Sequence, residues 1–150
     1  MTTEALLQAL PFQNYVEVYD LKGRYLLEAL EFSVSATQTD PQNFYSGRMV
    51  QIGGMRNVYN ASAPAGSRVV SATVRCIECD VPRYEPLDPD ATYRVVTQDY
   101  IGDGGGGFTM LSNNKQNVVR LGEDYVMLQR FMRRQGEVVS GPDGRIQIVY

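Results

Sequence analysis

The chain has 150 residues, a formal net charge of −3 and no histidine. Its length corresponds to one domain, and its acidic balance argues against a nucleic-acid surface, which normally carries a basic patch. Without histidine, the chain cannot form a Ser-His-Asp triad, a Cys-His pair or a histidine-containing zinc or two-metal centre. We therefore expect no catalysis from this chain alone, although the composition leaves carboxylate or lysine chemistry available.

The first third of the chain predicts a helix, a strand and a second helix, in that order. The first helix ends before Pro11, because the proline ring cannot continue the hydrogen-bond ladder. Alternating apolar and polar residues predict a half-buried strand over 15–19, followed by a turn over 20–23. Apolar residues at helical spacing predict the second helix over 26–34, and the polar segment 36–47 indicates a loop.

The rest of the chain predicts strands joined by turns, with one late helix. Apolar runs bounded by turn residues predict strands at 49–52, 56–59, 69–74, 93–97 and 145–149. Three prolines make 76–89 an irregular connector, and the late helix contains Leu121 and Met132 and ends at Gly136. We expect an α+β fold with mixed, mostly antiparallel sheets and about three helices. No repeat or linker divides residues 1–150, so a single domain is predicted.

Four consecutive glycines, 104–107, follow the strand at 93–97. Glycine backbone approaches a ligand closely and adopts positive φ freely, and such loops hold phosphates when a helix N-terminus follows. A P-loop also needs a Lys-Ser or Lys-Thr pair, which Phe108-Thr109-Met110 does not supply. From composition alone, a flexible surface turn is favoured over a ligand-binding loop.

Phe12 lies at the predicted junction between the first helix and the first strand. The commoner interpretation of such an aromatic is a core side chain. The functional alternative is a platform for a planar nucleobase, since base–aromatic stacking contributes roughly 1–3 kcal/mol.

Cys76 and Cys79 form the one C-x-x-C pattern of the sequence. A zinc site needs further Cys or His ligands, and a redox motif normally opens a helix, which Asp80-Val81-Pro82 does not favour. A structural disulfide is therefore favoured over both alternatives. Together with the N-glycosylation sequon at Asn60, it favours a secreted, extracellular protein. No signal peptide and no membrane-spanning run is predicted.

Several short motifs follow one another along the chain in an order that is typical of a known family. They include Leu10-Pro11-Phe12, Asp20-Leu21-Lys22-Gly23, Gln51-Ile52-Gly53-Gly54, Pro64-x-Gly66-x-Arg68-Val69, Pro86-Leu87-Asp88-Pro89, Tyr93-Arg94-Val95 and Gly104-Gly105-x-Gly107-Phe108-Thr109-Met110. Over nearly its whole length, the chain resembles the C-terminal domain of the 5'-nucleotidase family. That family includes ecto-5'-nucleotidases and the secreted salivary apyrases of blood-feeding arthropods. The Cys76-Ile77-Glu78-Cys79 loop resembles the animal branch.

The resemblance implies a division of labour. In this family an N-terminal metallophosphoesterase domain, which this chain lacks, holds a divalent metal pair and cleaves phosphate. This chain would then hold the adenine nucleoside or nucleotide and would contain no catalytic or metal-binding residue. The base would lie between two aromatic rings, those of Phe12 and Tyr100, while Gly104 and Gly105 let the loop close over it.

One position departs from the family pattern. The family usually has Gly-Gly-Asp-Gly, whose aspartate receives the ribose hydroxyls, and here that position is Gly106. Hydrogen bonds to a charged group contribute roughly 1.5–3 kcal/mol each, so the substitution implies binding weaker by about tenfold or more. Asp103, three residues earlier, is the candidate substitute.

Gly106 also motivates an alternative function. A chain that kept the scaffold and lost the nucleotide site would be a non-catalytic salivary protein that antagonises host haemostasis through a protein target. A third interpretation, an independent hydrolase that uses carboxylates, is the least favoured.

Overall fold

The computed structural model describes residues 2–36, 47–138 and 141–150. Its helices are α1 (Thr3–Ala9), α2 (Gly23–Val34), α3 (Asp99–Gly102), α4 (Thr109–Ser112) and α5 (Asp124–Gln135). Its strands are β1 (Tyr15–Lys22), β2 (Met55–Asn60), β3 (Val69–Arg75), β4 (Tyr84–Pro86), β5 (Thr92–Gln98), β6 (Gln116–Glu123) and β7 (Ile146–Val149). A 3₁₀ turn covers Gly105–Gly107.

The chain divides into two compact units, each assembled from two segments. The first unit comprises Met1–Leu21 and Thr92–Gly141, and the second comprises Lys22–Ala91 and Pro142–Tyr150. The predicted α+β class with mostly antiparallel sheets is confirmed, while the single domain over 1–150 stays a prediction. None of the described helices is long and apolar enough to cross a membrane.

The first unit is built on a three-stranded sheet of order β5-β1-β6, in which β1 and β6 run antiparallel. Alternate residues of β1 are buried, namely Glu17, Tyr19 and Leu21. Phe108 and the α4 residues Met110 and Leu111 are also buried. The order β5-β1-β6 places the strand that precedes α3 and the strand that follows α4 on either side of β1.

The second unit is built on a four-stranded sheet of order β4-β3-β2-β7, in which only the β2–β7 pair is parallel. Val34, Tyr59 and Ala61 are fully buried at its core. Glu31 of α2 accepts hydrogen bonds from the backbone N–H groups of Gly66, Arg68 and Val69. Within the Pro64-x-Gly66-x-Arg68 motif, Gly66 has a φ of +94°, which favours glycine, and the Arg68 side chain donates to the carbonyl oxygens of Ala63 and Val34.

The predicted turn over 20–23 is wrong, because β1 continues to Lys22 and α2 begins at Gly23. Gly23 serves close packing rather than a turn. A Cβ on it would overlap the backbone carbonyl of Asp88 and lie 2.9 Å from Leu87 Cδ2. Asp20, which looked like a turn residue, is held in the strand because its carboxylate accepts hydrogen bonds from Arg94 and Asn117.

Four other features also differ from the sequence-based expectation. Residues 49–52 form no strand, and the connector at 76–89 contains the short strand β4. Leu121 belongs to β6 rather than to the late helix, because α5 starts only at Asp124. The described residues contain five α-helices rather than about three, since α3 and α4 are single turns within the glycine-rich region. Most of the loop predicted over 36–47 lies outside the described residues.

Candidate functional site

An open depression of about 410 Å³ lies on the first unit. It is lined by Asn14, Asp99, Tyr100, Asp103 and Gly105. Three of the five lining residues, Tyr100, Asp103 and Gly105, are sequence-predicted site residues, and Phe12 and Gly104 are not among the lining.

Both predicted stacking aromatics belong to this unit and are exposed. The side chain of Tyr100, in α3, is 57% exposed. That of Phe12, in the turn between α1 and β1, is 83% exposed, so its core interpretation is wrong. An exposed aromatic ring presents a face on which a planar ligand can stack.

Gly105 lies directly against the Tyr100 ring. A Cβ on Gly105 would overlap the Tyr100 carbonyl oxygen and lie 2.6 Å from ring atom Cε2. Gly104 has a φ of +93°, a left-handed conformation that glycine adopts without penalty, and a Cβ there would lie 2.9 Å from Ser112 Oγ. Gly105–Gly107 therefore form a 3₁₀ turn at the surface whose first residue packs against Tyr100, and the flexibility of this turn stays a prediction.

Gly106 differs from Gly104 and Gly105 because it has room for a side chain. Its φ is +66°, and a Cβ there would meet only the Phe108 ring, at 3.8 and 3.9 Å. These are ordinary van der Waals distances. Among residues other than glycine, Asn and Asp tolerate this left-handed region best. The backbone at position 106 can therefore accommodate an aspartate.

Asp103 belongs to a cluster of four charges that also includes Glu17, Lys115 and Arg120. Lys115 Nζ lies 2.6 Å from Asp103 Oδ1 and 2.7 Å from Glu17 Oε2. Arg120 Nε lies 2.8 Å from Glu17 Oε1, and its terminal nitrogen lies 3.3 Å from Asp103 Oδ2. The hydrogen bond from Lys115 lowers the pKa of Asp103, so this carboxylate is ionised at neutral pH. Each of its oxygens retains a lone pair that can accept a further hydrogen bond.

Sequence reasoning missed Asn14 and Asp99. Asp99 Oδ1 accepts hydrogen bonds from the backbone N–H of Tyr15 at 3.0 Å and of Tyr100 at 2.9 Å. Asn14 adds an amide, which both donates and accepts, to the lining. Its signal in the sequence was its position two residues after Phe12, within the same turn.

The cysteines and the sequon lie in the second unit. Cys76 and Cys79 form a disulfide, which confirms the favoured interpretation of the C-x-x-C. Glu85 lies beside them, but oxidised cysteines are not thiolate ligands, so this group does not fit a metal ion. Asn60 ends β2 and its side chain accepts a hydrogen bond from the Ser62 N–H. Its glycosylation stays a prediction.

Comparison with known proteins identifies the family. The sequence model described as the C-terminal domain of 5'-nucleotidase matches residues 1–113. The chain belongs to the 5'-nucleotidase C-terminal domain family. An apyrase of Tabanus yao is 41% identical over 149 residues, which are 99% of this chain and 26% of that protein. A 5'-nucleotidase of Diplobatis ommata is 34% identical over 97% of this chain and 24% of that protein.

Solved structures of the family share the fold. The 5'-nucleotidase precursor from Thermus thermophilus superposes with a TM-score of 0.84 at 36% identity, over 99% of this chain and 28% of that chain. This 5'-nucleotidase C-terminal domain spans about a quarter of the length of the curated relatives named above.

Proposed function

We propose that this domain binds the nucleoside part of the substrate for a secreted 5'-nucleotidase or apyrase. The observation that carries the proposal is the seating of Tyr100. An exposed tyrosine ring lines the depression, and a glycine that admits no side chain lies against it.

The lining supplies the chemistry that a nucleoside requires. A base stacked on the Tyr100 ring gains roughly 1–3 kcal/mol, and Phe12 offers the second ring. The Asn14 amide can pair with a base edge, because it carries both donor and acceptor atoms. The ionised Asp103 carboxylate can accept a ribose hydroxyl, in place of the carboxylate that Gly106 lacks. Gly104 and Gly105 let the loop backbone approach the ligand closely.

Hydrolysis belongs to another part of the parent protein. The described residues offer no fitting metal centre, since the one candidate group contains the disulfide cysteines. The divalent metal pair and the catalytic domain that holds it are proposed as partners of this chain, since the relatives it matches are about four times its length. By itself the chain binds an adenine nucleoside or nucleotide and does not cleave it.

An extracellular location is part of the proposal. The Cys76–Cys79 disulfide is typical of oxidising compartments, and the sequon at Asn60 is compatible with secretion. The relatives include 5'-nucleotidases from the venoms of Gloydius brevicauda and Naja atra.

Calorimetric titration of adenosine and AMP tests the proposal. The wild-type chain should release heat on binding, and Phe12→Ala and Tyr100→Ala should each weaken binding by about tenfold or more through loss of one stacked ring. Tyr150→Ala is the matched control, because Tyr150 is 58% exposed but belongs to the second unit. Equal heats from all four proteins, or none from any, would contradict the proposal.

A second candidate function is the binding of a host haemostatic protein. Ile77, at the tip of the disulfide loop, is 92% exposed, and Val81 nearby is also exposed. Neighbouring exposed apolar side chains of this kind can form part of a protein-contact surface. An immobilised chain should then retain a specific plasma or platelet protein that the Ile77→Asn variant does not retain. Retention of the same proteins by both variants would contradict this function.

A further inference from the structure

We propose that Lys115 is a positioning residue that, through Asp103 and the buried Glu17, holds α3 on the sheet and so sets the place of Tyr100. The effect of Lys115 on nucleoside binding rests on the proposed function. Its effect on the position of α3 does not. Lys115 and Arg120 lie beyond residues 1–113, the part that the family model matches.

The N-terminal end of α3 is fixed directly to β1. Asp99 Oδ1 accepts the backbone N–H of Tyr15, the first residue of β1, and the N–H of Tyr100. This carboxylate joins the strand and the first turn of α3. The Asp99 carboxylate does not fix the C-terminal end of this four-residue helix, which needs other contacts.

The C-terminal end of α3 is fixed through charge. The backbone N–H of Asp103 donates to Asp99 O, so that the side chain of Asp103 leaves from the end of the helix. Lys115 Nζ donates to Asp103 Oδ1 at 2.6 Å and to Glu17 Oε2 at 2.7 Å. One ammonium group therefore links the end of α3 to the middle of β1.

Because Glu17 is buried, its carboxylate needs the positive charge of Lys115 nearby. Its side chain is 1% exposed, and a buried carboxylate is strongly destabilising unless positive partners surround it. The cluster is neutral, with two carboxylates and two cations, and the end of α3 packs directly on it. A Cβ on Gly102 would lie 3.0 Å from Glu17 Oε2 and 3.1 Å from Thr97 Oγ1. Loss of Lys115 would leave Glu17 with Arg120 alone and would release Asp103 from its shorter ion pair.

Tyr100 depends on this arrangement because its own ring is more than half exposed. The ring is placed by the helix that carries it and by Gly105, whose backbone follows Asp103 by two residues. Without Lys115, Asp103 keeps only its longer contact with Arg120, at 3.3 Å, so the helix end and the glycine turn lose their shorter charged link to β1. The stacking surface then loses its fixed position although every residue that touches the ligand is unchanged.

The experiment compares Lys115→Met with Lys115→Arg, which keeps the positive charge, and with Lys22→Met. Lys22, the other lysine of the chain, is exposed and donates to Asp90 O in the second unit. The double variant Glu17→Gln/Lys115→Met removes the buried charge together with its partner. Amide hydrogen exchange over 99–105 in the ligand-free chain reports the position of α3, and calorimetry with adenosine reports its consequence.

In Lys115→Met, amides over 99–105 should exchange about tenfold faster or more, while those of β2 and β3 keep their rates. The double variant should show the same local acceleration with smaller global destabilisation, and Lys115→Arg and Lys22→Met should resemble wild type. Unchanged exchange over 99–105, or acceleration spread evenly over both units, would overturn the proposal. If wild type binds adenosine, Lys115→Met should bind at least about tenfold more weakly, and equal affinity would also overturn it. Absence of binding by wild type would contradict the proposed function, while the exchange data would still decide the role of Lys115.

Discussion

Gly105 supports the ring of Tyr100 so closely that a Cβ at position 105 would lie 2.6 Å from Tyr100 Cε2. The contact joins two features that the sequence shows separately, an aromatic residue and a glycine run. It explains why a glycine is needed at this position on grounds of packing rather than of backbone conformation, because no positive φ is required there.

Gly105→Ala should therefore displace Tyr100. We expect adenosine affinity to fall by about tenfold or more and the free energy of unfolding to fall by about 1–3 kcal/mol, as for other overpacked sites. Calorimetry and urea unfolding measure the two quantities. Gly106→Ala is the matched control. It introduces a methyl group with ordinary contacts, and its cost is the left-handed backbone, roughly 1–2 kcal/mol. Equal adenosine affinities for the two alanine variants would contradict the seating role of Gly105.

Gly106→Asp should strengthen nucleoside binding. The position has room for the side chain, and a carboxylate there adds charged hydrogen bonds worth roughly 1.5–3 kcal/mol each, or about tenfold or more in affinity. Gly106→Asn is the control, since it has nearly the same shape and backbone tolerance without the charge. Calorimetry with adenosine and 2',3'-dideoxyadenosine measures the effect. A gain by Asp that persists with the dideoxy compound would show that the carboxylate does not meet the ribose hydroxyls.

Stability should fall in acid partly through Asp103. Its pKa is lowered from the ordinary 3.8, chiefly by the hydrogen bond from Lys115. A carboxyl whose pKa is lowered on folding stabilises the folded chain above its unfolded pKa, and this contribution disappears as pH falls through the folded pKa. The free energy of unfolding should thus decrease as pH is lowered past 3.8, and Asp103→Asn should decrease less.

Urea unfolding between pH 6 and pH 2.5 or so measures both slopes. The free energy of unfolding of Asp103→Asn should still decrease in acid, because arginine partners also lower the pKa values of Asp20 and Asp143. Identical slopes for wild type and Asp103→Asn would contradict the ion pairing of Asp103.

Glu31→Ala should destabilise the second unit. The carboxylate accepts three backbone N–H groups, those of Gly66, Arg68 and Val69, and these donors lose their partner. We expect a loss of about 2–4 kcal/mol, because each unsatisfied donor costs roughly 1–3 kcal/mol and such effects are not additive. Glu28→Ala, a position one turn earlier on α2, should change stability by less than about 0.5 kcal/mol. Similar losses of stability in both variants, measured by urea unfolding, would show that the hydrogen bonds accepted by Glu31 do not stabilise the second unit.

Local patterns predicted much of the fold, and the exceptions have physical causes. Alternation identified β1, where alternate residues are buried, and apolar runs bounded by turn residues identified β2, β3, β5 and β7. β6 was missed because its first six residues are exposed, which leaves no burial pattern to read. Leu121 matches the helical spacing of α5 by coincidence, although the chain at that point pairs with β1.

Only some residues of the candidate site could be predicted from the sequence. The resemblance selected Phe12, Tyr100 and Gly105, because their motifs are short and contiguous. It could not indicate Lys115 or its bond to Glu17, since these residues are 98 positions apart and lie in no shared motif. Contacts of that kind come from the order of strands in the sheet, which the sequence pattern leaves open.

An NMR titration of the wild-type chain with adenosine tests the central claim most directly. Binding at the depression should shift the backbone amides of Asn14, Tyr100, Asp103 and Gly105, together with the ring protons of Phe12 and Tyr100, in one saturable transition. Amides of the second unit, such as those of β2 and β3, should stay in place. Saturable shifts confined to the second unit, or no shifts at millimolar adenosine, would show that this domain does not hold the nucleoside.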